Sequence, residues 1–160
     1  FQEDAEIVLK QVQNQYGIVL MSNDDNGVLI NSERVNLNGD ESQGLDHETF
    51  FMEKDYREFN FCKTARKPYD LAVCSLLLLA HEHMKEHHDI GSDGGFEEWQ
   101  EAMELNAKTL GRGYKLPSGV ESSLEIEEFE NGLTQKYAKK VQPAVEVSKE
   151  TKKKGSRYNL

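Results

Sequence analysis

Four of the five histidines in this sequence fall between positions 81 and 88. His83-Met84-Lys85-Glu86-His87 fits the pattern H-x-x-E-H. On a helix, residues four apart share a face, so His83 and His87 can both reach one Zn²⁺. Glu86, between them, has the chemistry of a general base that polarises a metal-bound water. Asp89 is a candidate third ligand, with Asp93 and Glu97 next in reach. His81 and His88 also share a face. This pattern implies a small metal-dependent hydrolase or a metal-binding protein using zinc. The competing reading has no metal, no cofactor and no catalytic residue. It makes the histidines the solvated end of a helix, where positive charge is favoured by the helix dipole.

A second cluster is Lys63-Thr64-Ala65-Arg66-Lys67. Lys63, Arg66 and Lys67 precede a helix start, where free backbone N–H groups favour an anion. An anion- or nucleotide-binding module is the function this implies. No glycine-rich phosphate loop accompanies it. The plainer reading pairs Arg66 and Lys67 with Asp70 and neighbouring carboxylates. No G-x-S-x-G occurs, and Ser92-Asp93-Gly94-Gly95 lacks the spacing of a calcium loop. It reads as a helix-entry turn capped by Ser92 or Asp93.

The elements that must position these residues follow from periodicity. Residues 2–15 have Ala5, Val8, Leu9 and Val12 on one helical face, ended by Gly17. Ile18–Met21, Val28–Ile30 and Val35–Leu37 read as strands around the turn Asn23–Gly27. Thr49–Met52 is a fourth candidate strand. Tyr56–Lys63 is a clearer one, with Phe59 and Phe61 on one face. After Pro68 comes Leu71 to Ala80, ten residues without a charge. A helix apolar on all sides is buried on most of them. A second helix over about Gly95 to Leu110 buries Phe96, Trp99, Met103, Ala107 and Leu110, with Gly111 as its left-handed cap.

The pattern predicts an α+β fold. An antiparallel β-meander sheet of four to five strands packs on a buried central helix and a second amphipathic helix. Residues 1–111 form this globular domain, 112–142 a loop and helical arm, and 143–160 a flexible basic tail. Leu124, Ile126, Phe129, Leu133 and Tyr137 give the arm an apolar stripe. Leu124, Phe129, Leu133 and Tyr137 are the expected self-association interface.

The net charge of −10 is unevenly spread: residues 135–160 carry 8 basic and 2 acidic residues, the rest 11 and 27. An acidic body disfavours nucleic acid, leaving weak contact through the basic tail. The longest apolar run is too short to span a bilayer, which needs about 20 residues. Cys62 and Cys74 form no C-x-x-C pair and no signal-like segment is visible. A reduced, cytoplasmic protein without a disulfide is expected.

The string Phe59-Asn60-Phe61-Cys62-Lys63-Thr64-Ala65-Arg66-Lys67-Pro68-Tyr69-Asp70, with the apolar helix, Ser92-Asp93-Gly94 and Trp99 after it, resembles short bacteriophage and bacterial proteins of uncharacterised function. The resemblance implies an accessory protein rather than a metabolic enzyme and assigns no residue a role. The expected function is a non-enzymatic, oligomeric protein-interaction protein whose partner is another protein or its own copy.

Overall fold

The computed structural model describes residues 1–23, 27–55, 58–85, 89–120 and 123–138. Among the described residues, four α-helices and one two-stranded sheet form an α+β fold. Helix α1 spans Gln2–Tyr16, α2 Asp70–His83, α3 Phe96–Leu110 and α4 Leu124–Tyr137. Strands β1 (Arg34–Leu37) and β2 (Phe50–Glu53) pair antiparallel, with Val35 opposite Met52 and Leu37 opposite Phe50.

Helix α2 is the centre of the core. Ala72, Val73, Cys74, Ser75, Leu76, Leu78, Leu79 and Ala80 are all buried. It packs against both α1 and α3, and these two also touch each other. α1 contributes Ala5, Val8, Leu9 and Val12; α3 contributes Trp99, Ala102, Met103, Leu105, Asn106 and Ala107. Gly17 and Gly111 end α1 and α3 in the left-handed conformation, as helix-ending glycines do. Within this core the Asn106 amide donates to the Ser75 carbonyl at 2.9 Å. Among the described residues, the Ser75 hydroxyl, Asn106 Oδ1 and the Tyr114 hydroxyl are buried without a hydrogen-bond partner.

The expected four- to five-stranded meander is corrected to two strands. Ile18–Met21 and Val28–Ile30 meet the sheet only at single bridges, Met21 with Asn38 and Ile30 with Val35. The reason is local. Asn31 Oδ1 accepts from the Glu33 and Arg34 amides, folding the chain back so tightly that the Ile30–Val35 pair is isolated. β1 divides its outward groups between two segments: Asn36 N–H reaches Leu29 O at 2.8 Å, and Asn38 exchanges bonds with Met21. Val19, Met21 and Val28 are consequently left exposed.

Residues 58–63 also run beside the sheet without joining it. The Glu48 amide donates to Lys63 O at 3.3 Å, and the Asn60 side chain donates to Phe51 O at 2.7 Å. Both contacts share one antiparallel register. Elsewhere side chains replace the ladder: Lys63 N–H bonds Glu48 Oε2, and the Cys62 thiol donates to Glu48 O. Residues 56 and 57 of the expected strand lie outside the described residues.

Helix α4 packs on α3. Ser123 caps it by accepting from the Ile126 amide. Phe129 meets Phe96 edge to face, with ring centroids 5.2 Å apart. Gly113 permits the close fit, since a Cβ there would lie 1.9 Å from Thr134 Oγ1. Among the described residues, no helix is long and apolar enough to cross a membrane.

Candidate functional site: an acidic groove beside an exposed phenylalanine pair

The segment after β2 is held in place from below. The Tyr69 hydroxyl and the Cys62 thiol both donate to the Glu48 carbonyl, at 2.6 and 3.3 Å. His47 Nδ1 lies 2.6 Å from Lys63 O. Burial, followed by the Glu48 carboxylate, pushes the Cys62 thiol up to about 11. Burial likewise raises the Tyr69 phenol. Both stay neutral hydrogen-bond donors across the physiological range.

Above this tether, Phe59 is 88% exposed and Phe61 63% exposed. Their rings lie 6.0 Å apart. Alternation places them on one face, but that face is open to solvent. The next turn is also unusual. Ala65 (φ 50°) and Arg66 (φ 54°) are consecutive non-glycine residues in the left-handed region, closed by Lys67 N–H to Thr64 O at 3.0 Å. Such a turn normally carries Asn-Gly. Two such residues are costly. The turn directs Arg66 onto Glu98 at the start of α3, with Nε 2.6 Å from Oε1.

β2, residues 58–66, residues of α2, residues 89–94 and the start of α3 together line a groove of about 1320 Å³. Val73, Cys74 and Leu77 come from α2, and Trp99 from α3. Among the described residues, the charged lining is Glu53, Glu58, Asp70, Asp89, Asp93 and Glu98 against Lys63 and Arg66. The groove is therefore apolar at its base and acidic at its edges.

The basic cluster predicted as an anion site is dispersed. Arg66 pairs with Glu98, and Lys67 Nζ donates to Gly44 O at 2.7 Å. Asp70 accepts from Thr64 rather than from either cation. Lys63 contributes its backbone to Glu48, and its residue is exposed.

His83 sits in a polar clasp joining three parts of the chain. Its Nε2 lies 2.9 Å from Asp4 Oδ2 of α1. Arg112, just after α3, bonds that same Asp4 oxygen and Glu82 Oε2. Phe1 lies edge-on to the His83 ring and Arg112 stacks over Tyr114. Burial raises the Asp4 pKa, but hydrogen bonds from Arg112 and His83 outweigh it and hold the carboxyl below 3.8. Burial lowers the Arg112 pKa, and the bonds to Asp4 and Glu82 reverse this to a net rise. Glu86, His87 and His88 lie outside the described residues. Asp89 and Asp93 are exposed on the groove, away from any bond to His83. Among the described residues, no group of three His, Cys, Asp or Glu is arranged to hold a metal ion.

Of the expected arm interface, Leu133 is 3% exposed while Leu124 is 79% exposed. Phe129 and Tyr137 pack against the core cluster of the same chain.

Sequence reasoning missed the clasp, because Asp4, Glu82 and Arg112 are ordinary surface residues until the helices pack. It missed the groove for a different reason. Phe59 and Phe61 carry the signal of a buried strand face, and only the absent ladder turns them outward.

Comparisons with protein-family models, with curated proteins and with solved structures find no match for this chain.

Proposed function

We propose that this chain is a non-enzymatic interaction protein that docks an extended segment of a partner protein in the groove beside Phe59 and Phe61. The supporting observation is that aromatic pair. Two large rings stand 88% and 63% exposed on a backbone tethered through Glu48. Aromatic residues fixed at the mouth of a concave surface are what binding anchors are made of. The single Trp of the chain, Trp99, lines the same groove. Trp99 is buried, so its fluorescence reports rearrangement at the base of the groove.

The test is a peptide array probed with the full chain and with the double variant Phe59→Ala/Phe61→Ala. The intact chain should retain a set of peptides that the variant loses, with an unchanged melting temperature in the variant. Equal retention by both proteins would remove the aromatic pair from the site.

Self-association is the second reading, favoured by the same rings and by Leu124 at 79% exposure. Light scattering on the two proteins at tens of micromolar separates it: a dimer lost in the double variant supports a second copy as the partner.

A further inference from the structure

Resting on the reading of the groove as a docking site, we infer that the chain's own basic tail, residues 139–160, occupies the groove in cis and that a partner segment must displace it. The groove offers two kinds of surface. Phe59 and Phe61 stand exposed beside it, and Val73 and Leu77 of α2 line it. Asp89 and Asp93 line it as exposed carboxylates. Arg66 is committed to Glu98, so it leaves these two charges unneutralised.

The tail carries the complement of both surfaces. Val141, Pro143, Val145 and Val147 alternate, so an extended backbone places them on one face. Lys149, Lys152, Lys153, Lys154 and Arg157 follow, opposed only by Glu146 and Glu150. The acidic body attracts such a segment in general. The groove is where that acidity meets exposed aromatic rings, which the valines can cover. The tail also starts close enough. Phe129 of α4 touches Phe96 at the start of α3, and Tyr137 lies about 12 Å further along the helix. An extended chain advances about 3.3 Å per residue, so a short stretch beyond Ala138 covers the return. Tethering presents the tail at an effective concentration on the order of 1 mM. An intrinsic Kd of about 100 µM therefore masks the groove about tenfold.

The test compares the full chain with the tail variant Lys152→Glu/Lys153→Glu/Lys154→Glu and adds a synthetic peptide of residues 139–160 to each. Amide resonances of Phe59, Phe61, Asp89 and Asp93 in dilute protein report occupancy. The inference expects these resonances to differ between the two proteins, independently of protein concentration. It expects the peptide to bind the tail variant about tenfold more tightly than the full chain, whose groove is already filled. Adding Phe59→Ala/Phe61→Ala to the tail variant should abolish that binding. Unchanged resonances, or equal peptide affinity for the two proteins, overturn occupancy in cis. A tail variant that binds no peptide overturns the tail as ligand. Peptide binding that survives loss of both rings places the tail elsewhere and overturns the inference. Resonances that move with protein concentration overturn it in favour of the tail of a second copy. Each of these failures leaves the docking reading intact if the array of the previous section still loses its peptides with the aromatic pair. An array that retains nothing with the full chain or the tail variant removes the docking reading itself.

Discussion

Replacing Asp4 by Asn keeps the shape of the side chain and removes the charge shared by Arg112 and His83. Hydrogen bonds to charged groups contribute about 1.5–3 kcal/mol each when well shielded. Here the side chains of Asp4 and Arg112 are 21% and 36% exposed, so solvent screens part of the interaction. After that discount, the expected loss is about 1 kcal/mol. For a chain of this length, that is a fall in melting temperature of about 2–4 °C. The sign with pH follows from the lowered Asp4 pKa. A carboxyl whose folded pKa is depressed contributes its full stability above the unfolded value of 3.8 and loses it as pH falls through the lower folded value. The difference between the wild type and Asp4→Asn should be about 1 kcal/mol at about pH 7 and should shrink toward zero as pH falls below 3.8. Urea unfolding followed by circular dichroism across that range measures it. A double-mutant cycle with Arg112→Gln isolates the pair. A coupling energy within error of zero at neutral pH, or a difference that grows in acid, would refute the clasp.

Three further outcomes follow from burial. Leu78 is 0% exposed, and Leu78→Ala should cost about 2–5 kcal/mol in urea unfolding; a smaller loss would mean that α2 is not central. Among the described residues the Tyr114 hydroxyl is buried without a hydrogen-bond partner of good geometry, with Arg112 beside its ring, so Tyr114→Phe should be neutral or stabilise by up to about 1 kcal/mol, and a clear loss would reveal a hydrogen bond there. Burial raises the pKa of both thiols, Cys62 to about 11. Alkylation by iodoacetamide at about pH 8 should run about tenfold or more slower in the folded protein than in urea, and equal rates would refute the neutral-thiol assignment.

The helices were legible because each carries its own signals. Leu71 to Ala80 has no charge, Phe96 to Leu110 has a stripe spaced for one face, and Gly17 and Gly111 stop two helices. Strand β1 and strand β2 were legible as short apolar runs. The rest of the sheet was not, because alternation reports which residues prefer an extended backbone and not whether a neighbour completes the ladder. Val19 and Met21 alternate like strand residues yet reach the sheet through one bridge. Asn60 is the clearest case. Its side chain, not its backbone, bonds Phe51, and no periodicity encodes that substitution. The histidine pattern is described only at His83, because Glu86 and His87 lie outside the described residues. His83 lies on its helix as expected, but Asp4, 79 positions away in sequence, takes its ring nitrogen. In the basic cluster, the left-handed turn at Ala65 and Arg66 aims the guanidinium at α3, away from the start of α2.

The contact between Asn106 and Ser75 bears on how this chain avoids folding wrongly. A helix whose leucines, valine and alanines face every direction can collapse against its neighbours in many rotational settings of nearly equal energy. Hydrophobic attraction alone does not choose among them. The Asn106 amide does, because only one setting presents the Ser75 carbonyl to it. Every misrotated packing strands that amide in an apolar interior, at a cost of about 1–3 kcal/mol. The contact acts as an alignment key: it adds little to the depth of the native minimum and raises its competitors. Replacing Asn106 by Leu should therefore yield a collapsed, helical protein that melts over a broader range and shows poorer amide dispersion.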